Sequence, residues 1–278
     1  MRIHSWVMQR IDAVAIFICA GAITAPSQSP PSSVARSGSC FLLLDTTSGQ
    51  LTRDPGDICT TRLPPASTFK IPHALAALDS GVIKGTDEVI AYDGAPRDYE
   101  AWRRDHTLAS AMRFSVLWYF QEIARRLGMG REEFYLRRLR YGNADPSSGL
   151  TTFWLGGSLR ISPEEQLTFV RRLYYAELPV RESAMRMVRE ILVQPPGVVV
   201  NAMGEHPFDA PWPPNTLVSA KTGSASFDGT RAVRWIVGHV RRETRAWIFV
   251  SCVVGGGEVD PMAAIDLAAR SLRKYGVL

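Results

Sequence analysis

Pro65-Ala66-Ser67-Thr68-Phe69-Lys70-Ile71-Pro72 is the stretch from which the rest of the chain can be read. It predicts a helix beginning at Ser67, running to about Asp79 and stopped by Ser80-Gly81. Ser67 and Lys70 lie three apart, so their side chains share one face within a turn. At the start of a helix, free backbone N–H groups and the helix dipole favour developing negative charge at Ser67. Apolar neighbours such as Phe69 and Ile71 would desolvate Lys70 and favour its neutral amine. A hydroxyl beside a neutral nitrogen base is what covalent acyl transfer requires. Spacing alone is weak: Ser271-Leu272-Arg273-Lys274 also matches it, but in a C-terminal helix beside Arg273.

Lysine usage strengthens the reading. Of 32 Lys plus Arg residues, only Lys70, Lys84, Lys221 and Lys274 are lysine. Arginine serves surface charge as well but cannot lose its proton near neutral pH. A chain so biased to arginine that keeps lysine at a position points to an amine that must be deprotonated or modified. Lys221 opens a second short motif, Lys221-Thr222-Gly223.

The 278 residues, 46% hydrophobic and 21% charged, can build a substantial core. Arg2 and Arg10 precede an apolar run, Ala13 to Ala20, that ends in small residues. Residues 1–22 therefore read as a secretory signal peptide cut near Ala20-Gly21-Ala22. An uncleaved anchor is the alternative, but the run is short for a membrane span, and no stable membrane insertion is expected after cleavage. Residues 23–38, rich in Pro and Ser, read as a disordered leader, and residues 39–278 as the catalytic domain. Export to the periplasm implies an oxidising compartment. Cys40 and Cys59 flank the turn at Thr47-Ser48-Gly49 almost symmetrically and are expected to form a disulfide, with two buried thiols as the alternative. Cys252, inside an apolar run, reads as a core residue. The net charge of +5 is scattered in pairs such as Arg125-Arg126 and Arg171-Arg172, which argues against nucleic-acid binding. The five histidines show no metal-binding spacing, so no metal is expected.

Two strands are expected first, Cys40–Asp45 and Ile58–Arg62. Helical patterns then follow near 107–127, 131–139, 162–176 and 181–193. After Pro211-Trp212-Pro213-Pro214 come strands Leu217–Lys221, Val233–Val240 and Ala246–Val254, and a last helix from Pro261 to about Lys274. Strands at both ends with helices between them predict an α+β fold: one antiparallel sheet, flanking helices and an inserted helical lobe. Ser162-Pro163-Glu164-Glu165 reads as a capping box that opens a helix, which assigns its glutamates to capping rather than to catalysis.

The stretch 65–72 resembles the class D (oxacillinase-type) serine β-lactamases. So do Trp102, Ser115-Val116-Leu117, Trp118-Tyr119-Phe120-Gln121-Glu122, Tyr141-Gly142-Asn143, Phe153-Trp154-Leu155 and Lys221-Thr222-Gly223, in order and spacing over roughly residues 40–255. The S-x-x-K and K-T-G pair is shared with penicillin-binding proteins. The resemblance implies β-lactam hydrolysis, with a small-molecule β-lactam as the partner. Ser67 would be the acylated nucleophile, and Lys70, carrying CO2 as a carbamate, the general base. Trp154 would hold that carbamate through its indole N–H. Ser115, aided by Lys221, would relay a proton to the departing nitrogen. Backbone N–H groups of Ser67 and Ser224 would form the oxyanion hole. Thr222 would hold the substrate carboxylate, with Gly223, Trp102 and Leu155 also at the substrate.

Two positions depart from the family pattern. Leu117 stands where Val is usual beside the carbamate, and could crowd the hydrolytic water. The arginine common before the last helix is missing from Asp260-Pro261-Met262-Ala263-Ala264; Arg231 or Arg234 could replace it, ordinary exposed arginines being the alternative. Two rival functions follow: a penicillin-binding or β-lactam-sensing domain that acylates without turnover, and a non-catalytic secreted peptidoglycan-binding protein.

Overall fold

The computed structural model describes residues 37–278 except Glu258. The expected signal peptide and nearly all of the leader lie outside the described residues. Strand β1 (Gly38–Asp45) already begins at the leader's last position and turns back into β2 (Leu51–Gly56). After the first helix, α1 (Lys70–Ser80), come two short strands, β3 (Val89–Ile90) and β4 (His106–Thr107). The helices α2 (Leu108–Arg113), α3 (Leu117–Leu139), α4 (Pro163–Tyr174) and α5 (Glu182–Ile191) follow. A small hairpin, β5 (Val198–Asn201) and β6 (Gly204–Pro207), precedes three long strands: β7 (Thr216–Phe227), β8 (Arg231–Arg242) and β9 (Arg245–Gly256). Helix α6 (Ala263–Lys274) ends the chain.

The five long strands form one antiparallel sheet in the order β2-β1-β9-β8-β7, so the first and last strands in sequence pair inside it. Alternation of side chains divides the core. Phe41, Leu43, Ile236 and Phe249 face Ile265, Ala268 and Leu272 of α6 on one side. Leu42, Trp235, Val237 and Val250 face the other side, where α1, α3 and α4 pack. This is the expected α+β architecture.

The structure corrects several local expectations. The second strand is not Ile58–Arg62 but Leu51–Gly56, a polar edge segment whose order comes from pairing with β1 and not from its own hydrophobicity. Ile58 and Cys59 are buried in the turn that follows. Cys40 and Cys59 do form a disulfide, with Cα atoms 5.2 Å apart, closing a loop of 19 residues. Cys252 is a free, fully buried thiol, as expected of a core position. The helix expected over 107–127 is broken at Phe114-Ser115-Val116, and α3 carries its own kink at Gly128 (φ 73°). The capping box at α4 forms as read: Ser162 accepts from the Glu165 amide and Glu165 accepts from the Ser162 amide.

Candidate active site

The segment that carries Ser67 is tighter than an α-helix. Ala66–Phe69 form a 3-10 turn that runs into α1 at Lys70. In 3-10 geometry residues i and i+3 eclipse, which brings the Lys70 Nζ to 2.8 Å from the Ser67 Oγ. Ser67 is half-buried at the cleft, while Lys70 is 1% exposed. Burial, together with the cation of Lys221, holds the Lys70 amine well below the usual lysine range.

A second hydroxyl–amine pair sits opposite. Lys221 donates to the Ser115 Oγ at 2.9 Å and to the Thr222 carbonyl at 2.9 Å. Burial lowers the Lys221 pKa to about 7. Ser115 stands in the left-handed region (φ 54°), a conformation that costs a non-glycine residue about 1–3 kcal/mol and persists only when its surroundings impose it. Two indoles do so here: the Trp102 Nε1 donates to the Phe114 carbonyl, and the Trp118 Nε1 to the Trp102 carbonyl, each at 2.9 Å. Trp102 thus braces the Ser115 turn as well as lining the cleft.

Trp154 is fully buried, stacked on Phe69 with ring centroids 5.5 Å apart. Its Nε1 has no hydrogen-bond partner. Such an unmet buried donor costs about 1–3 kcal/mol, so an acceptor placed there would recover that cost. Its loop is clasped by Tyr141-Gly142-Asn143. The Asn143 side chain donates to the Ser158 carbonyl and accepts from the Arg160 amide, both at 2.8 Å. Gly142 has φ 55°, and a Cβ there would lie 2.0 Å from the Arg160 carbonyl oxygen. Tyr141-Gly142-Asn143 is therefore a turn that holds the Trp154 loop.

The glycine of Lys221-Thr222-Gly223 has an equally direct reason. A Cβ on Gly223 would stand 3.0 Å from the Pro65 carbonyl oxygen and 3.1 Å from the Thr68 amide. A side chain there would require β7 and the Ser67 turn to give by a few tenths of an ångström. Gly223→Val should push the two apart and lower kcat/KM by about 100-fold, measured on nitrocefin; a variant within threefold of the parent would show that this approach is not needed.

The cleft between these elements has a volume of about 340 Å³ and is lined by Ser67, Ser115, Thr222, Gly223, Ser224, Trp102, Leu117 and Leu155 among others. Larger surface grooves occur, one beside Arg62 and Arg172 and one beside Arg113 and Gln194, but neither holds a nucleophile next to a buried amine. Leu117 is half-buried on the cleft wall. Of the two arginines expected as candidates, Arg234 stands on that wall, paired across the sheet with Ser224, and Arg231 does not. Arg231 is turned to Asp228 and over the Phe227 ring. Residues the sequence reading did not single out also line the cleft: Tyr99, and Asn201, Ala202 and Met203 at the tip of the β5–β6 hairpin. Only packing brings that hairpin there, and no local signal marks it. Among the described residues no group of three or more His, Cys, Asp or Glu could hold a metal ion.

Comparison with known proteins agrees with this geometry. The model of the penicillin-binding-protein transpeptidase domain matches residues 28–272. A probable β-lactamase of Bacillus subtilis (strain 168), YbxI, is 36% identical over 217 residues, covering 78% of this chain and 73% of that protein. The OXA-3 β-lactamase of Pseudomonas aeruginosa is 33% identical over 211 residues, covering 76% and 69%. A crystal structure of a class D β-lactamase from Bacillus subtilis aligns with a TM-score of 0.75 at 33% identity, covering 87% of this chain and 93% of that one. Taken with the paired serines and lysines of the cleft, these matches show that the chain belongs to the penicillin-binding-protein transpeptidase family and, within it, to the class D serine β-lactamases.

Proposed function

We propose that this enzyme hydrolyses β-lactam antibiotics through an acyl-Ser67 intermediate, with Lys70 carbamylated as the general base. The observation that carries the reading is the buried Lys70 amine, 2.8 Å from the Ser67 Oγ, together with the buried, unpartnered indole N–H of Trp154, whose ring stacks on Phe69, the residue before Lys70. A neutral amine in an apolar pocket is what CO2 adds to, and the anion so formed needs a donor. The residues present therefore fit the group. When bound, a carbamate there supplies an anionic base for both acylation and deacylation.

The chain's own residues account for the remaining work. The Ser67 Oγ attacks the lactam carbonyl carbon and gives its proton up at Lys70, while the carbonyl oxygen takes the charge against the Ser67 and Ser224 amides. As the C–N bond breaks, the Ser115 hydroxyl delivers a proton to the lactam nitrogen and is resupplied through Lys221, 2.9 Å away. Water then cleaves the ester. Among the described residues no carboxylate lines the cleft, and its one charged lining residue is Arg234, which suits an anionic substrate.

Thr222 and Arg234 are proposed to hold the substrate carboxylate. Arg234→Ala should raise KM for benzylpenicillin about tenfold with little change in kcat, because a contact kept in ground and transition states contributes uniform binding. Arg231→Ala should change neither. Unchanged KM in Arg234→Ala would leave Thr222 and Lys221 as the carboxylate site.

The rival reading, acylation without turnover, draws on Leu117, which could restrict the deacylating water. Nitrocefin turnover by the purified protein separates the two: a stoichiometric burst with no steady state would replace hydrolysis by binding. Export to the periplasm with removal of residues 1–22 is also proposed. It is supported by the apolar run at 13–20 and by the Cys40–Cys59 disulfide, and the mass of the mature protein tests it. Among the described residues no helix is long and apolar enough to cross a membrane.

A further inference from the structure

We propose that Gln166 is a positioning residue for Ser67: through the Thr68 hydroxyl it holds the turn that aims the nucleophile, although it does not itself line the cleft. The proposal rests on Ser67 being the acylated residue. Gln166 lies on α4, 98 residues from Thr68 in sequence. It is 1% exposed, and Thr68 is fully buried. The Gln166 Nε2 donates to the Thr68 Oγ1 at 2.6 Å, and the Thr68 Oγ1 donates in turn to the Pro65 carbonyl at 2.7 Å.

Chemistry fixes the direction of this chain of hydrogen bonds. A hydroxyl has one proton to give, and the Pro65 carbonyl takes that of Thr68. Only a donor can then serve the same oxygen, and the amide NH2 of Gln166 is that donor. The Pro65 carbonyl also accepts from the Thr68 amide at 3.2 Å, so Thr68 closes the turn twice across Ala66 and Ser67. Ala66 stands in the left-handed region (φ 50°), which a non-glycine residue keeps only where its surroundings impose it. Before Ser67 the turn is tied at two points. The Trp235 Nε1 donates to the Pro64 carbonyl at 2.9 Å, and the Ala66 amide donates to the Trp154 carbonyl at 3.0 Å. Gln166 supplies the tie that follows Ser67.

Packing alone gives Gln166 no reason to be polar. It is the only polar residue among the buried positions of α4, which are otherwise Pro163, Leu167, Phe169, Val170 and Leu173. Its Oε1 is buried without a hydrogen-bond partner, an arrangement that destabilises the fold. An apolar side chain of the same length would avoid that cost, so what the amide contributes is the hydrogen bond to Thr68. The consequence at Ser67 is geometric. Its Oγ must stay 2.8 Å from the Lys70 Nζ while aimed at the lactam carbon, and a misplacement of about 1 Å can slow a reaction about 100-fold.

The test uses Gln166→Met, which keeps the length and loses the donor, Thr68→Val, which keeps the shape and loses the hydroxyl, and Thr68→Ser, which keeps the hydroxyl. Rapid-quench intact-protein mass spectrometry with benzylpenicillin gives the rate constant for acylation of Ser67 and, from its concentration dependence, the Kd. Acylation should slow about tenfold in Gln166→Met, with no fall in Tm. The Kd should not change, because the proposed carboxylate contacts, Thr222 and Arg234, are untouched. Thr68→Val should lose as much, and Thr68→Ser should stay near the parent. The Gln166→Met/Thr68→Val double variant should lose no more than either single change, as two links of one chain do. Acylation of Gln166→Met within threefold of the parent, or losses that multiply in the double variant, would overturn the proposal. So would a smaller final adduct formed at an unchanged rate, the mark of a misfolded fraction. A parent that forms no Ser67 adduct removes the nucleophile reading and this proposal together, whereas an adduct formed equally fast by parent and variants removes this proposal alone.

Discussion

Ser67→Ala is expected to abolish covalent labelling by benzylpenicillin and to lower kcat by a factor of about 10⁴ or more. The structure sharpens the reason, because the cleft contains two hydroxyl–amine pairs and not one. Ser115 meets Lys221 at 2.9 Å, much as Ser67 meets Lys70 at 2.8 Å. Ser115, however, is 6% exposed on a strained turn and hands its oxygen to an amine with a pKa of about 7. Ser67 is open to the cleft on a 3-10 turn. Intact-protein mass spectrometry is the measurement. A penicilloyl adduct that persists in Ser67→Ala and disappears in the Ser67→Ala/Ser115→Ala double variant would move the nucleophile to Ser115.

The second large effect concerns pH, CO2 and Trp154. Lys70 is buried beside Lys221, and both causes depress its pKa, which favours the neutral amine to which CO2 adds. Lowering the pH returns the proton, CO2 is released, and turnover should fall on the acid side. Added bicarbonate should restore it. Lys221 titrates at about 7, but a limb set by Lys221 would not respond to bicarbonate, so the two are separable. Trp154→Ala should slow deacylation by about 100-fold or more, the weight of a positioned general base, and leave an acylation burst intact. Removing a large core indole also costs about 3–5 kcal/mol of stability. Trp154→Phe, which keeps most of the ring and loses only the N–H, therefore isolates the donor. Stopped-flow bursts with and without bicarbonate, on parent and variants, read all of this. If bicarbonate changes nothing and Trp154→Phe turns over normally, Lys70 works as a plain amine.

Much of this protein was readable from short windows of its chain. Ser67 and Lys70 meet because they are three apart, Ser162 and Glu165 because a capping box spans three residues, and the strands of the sheet show in runs of apolar residues at the two ends. These contacts are local, or follow from a burial period that each segment carries in itself. The remainder depended on packing between distant segments. The apolar period over 107–127 continues through Ser115, yet the chain breaks there, because Trp102 and Trp118 supply hydrogen bonds that offset a left-handed residue. Leu51–Gly56 has no strand signal of its own and is ordered by β1. Arg231 and Arg234 are indistinguishable in sequence, and the register of β8 against β7 sets Arg234 opposite Ser224 at the cleft. Gln166 and Thr68 carry no mark of each other across 98 residues. A window of sequence reports which face of a segment is buried; which segment covers that face, and which polar groups meet beneath it, is settled only when the whole core closes.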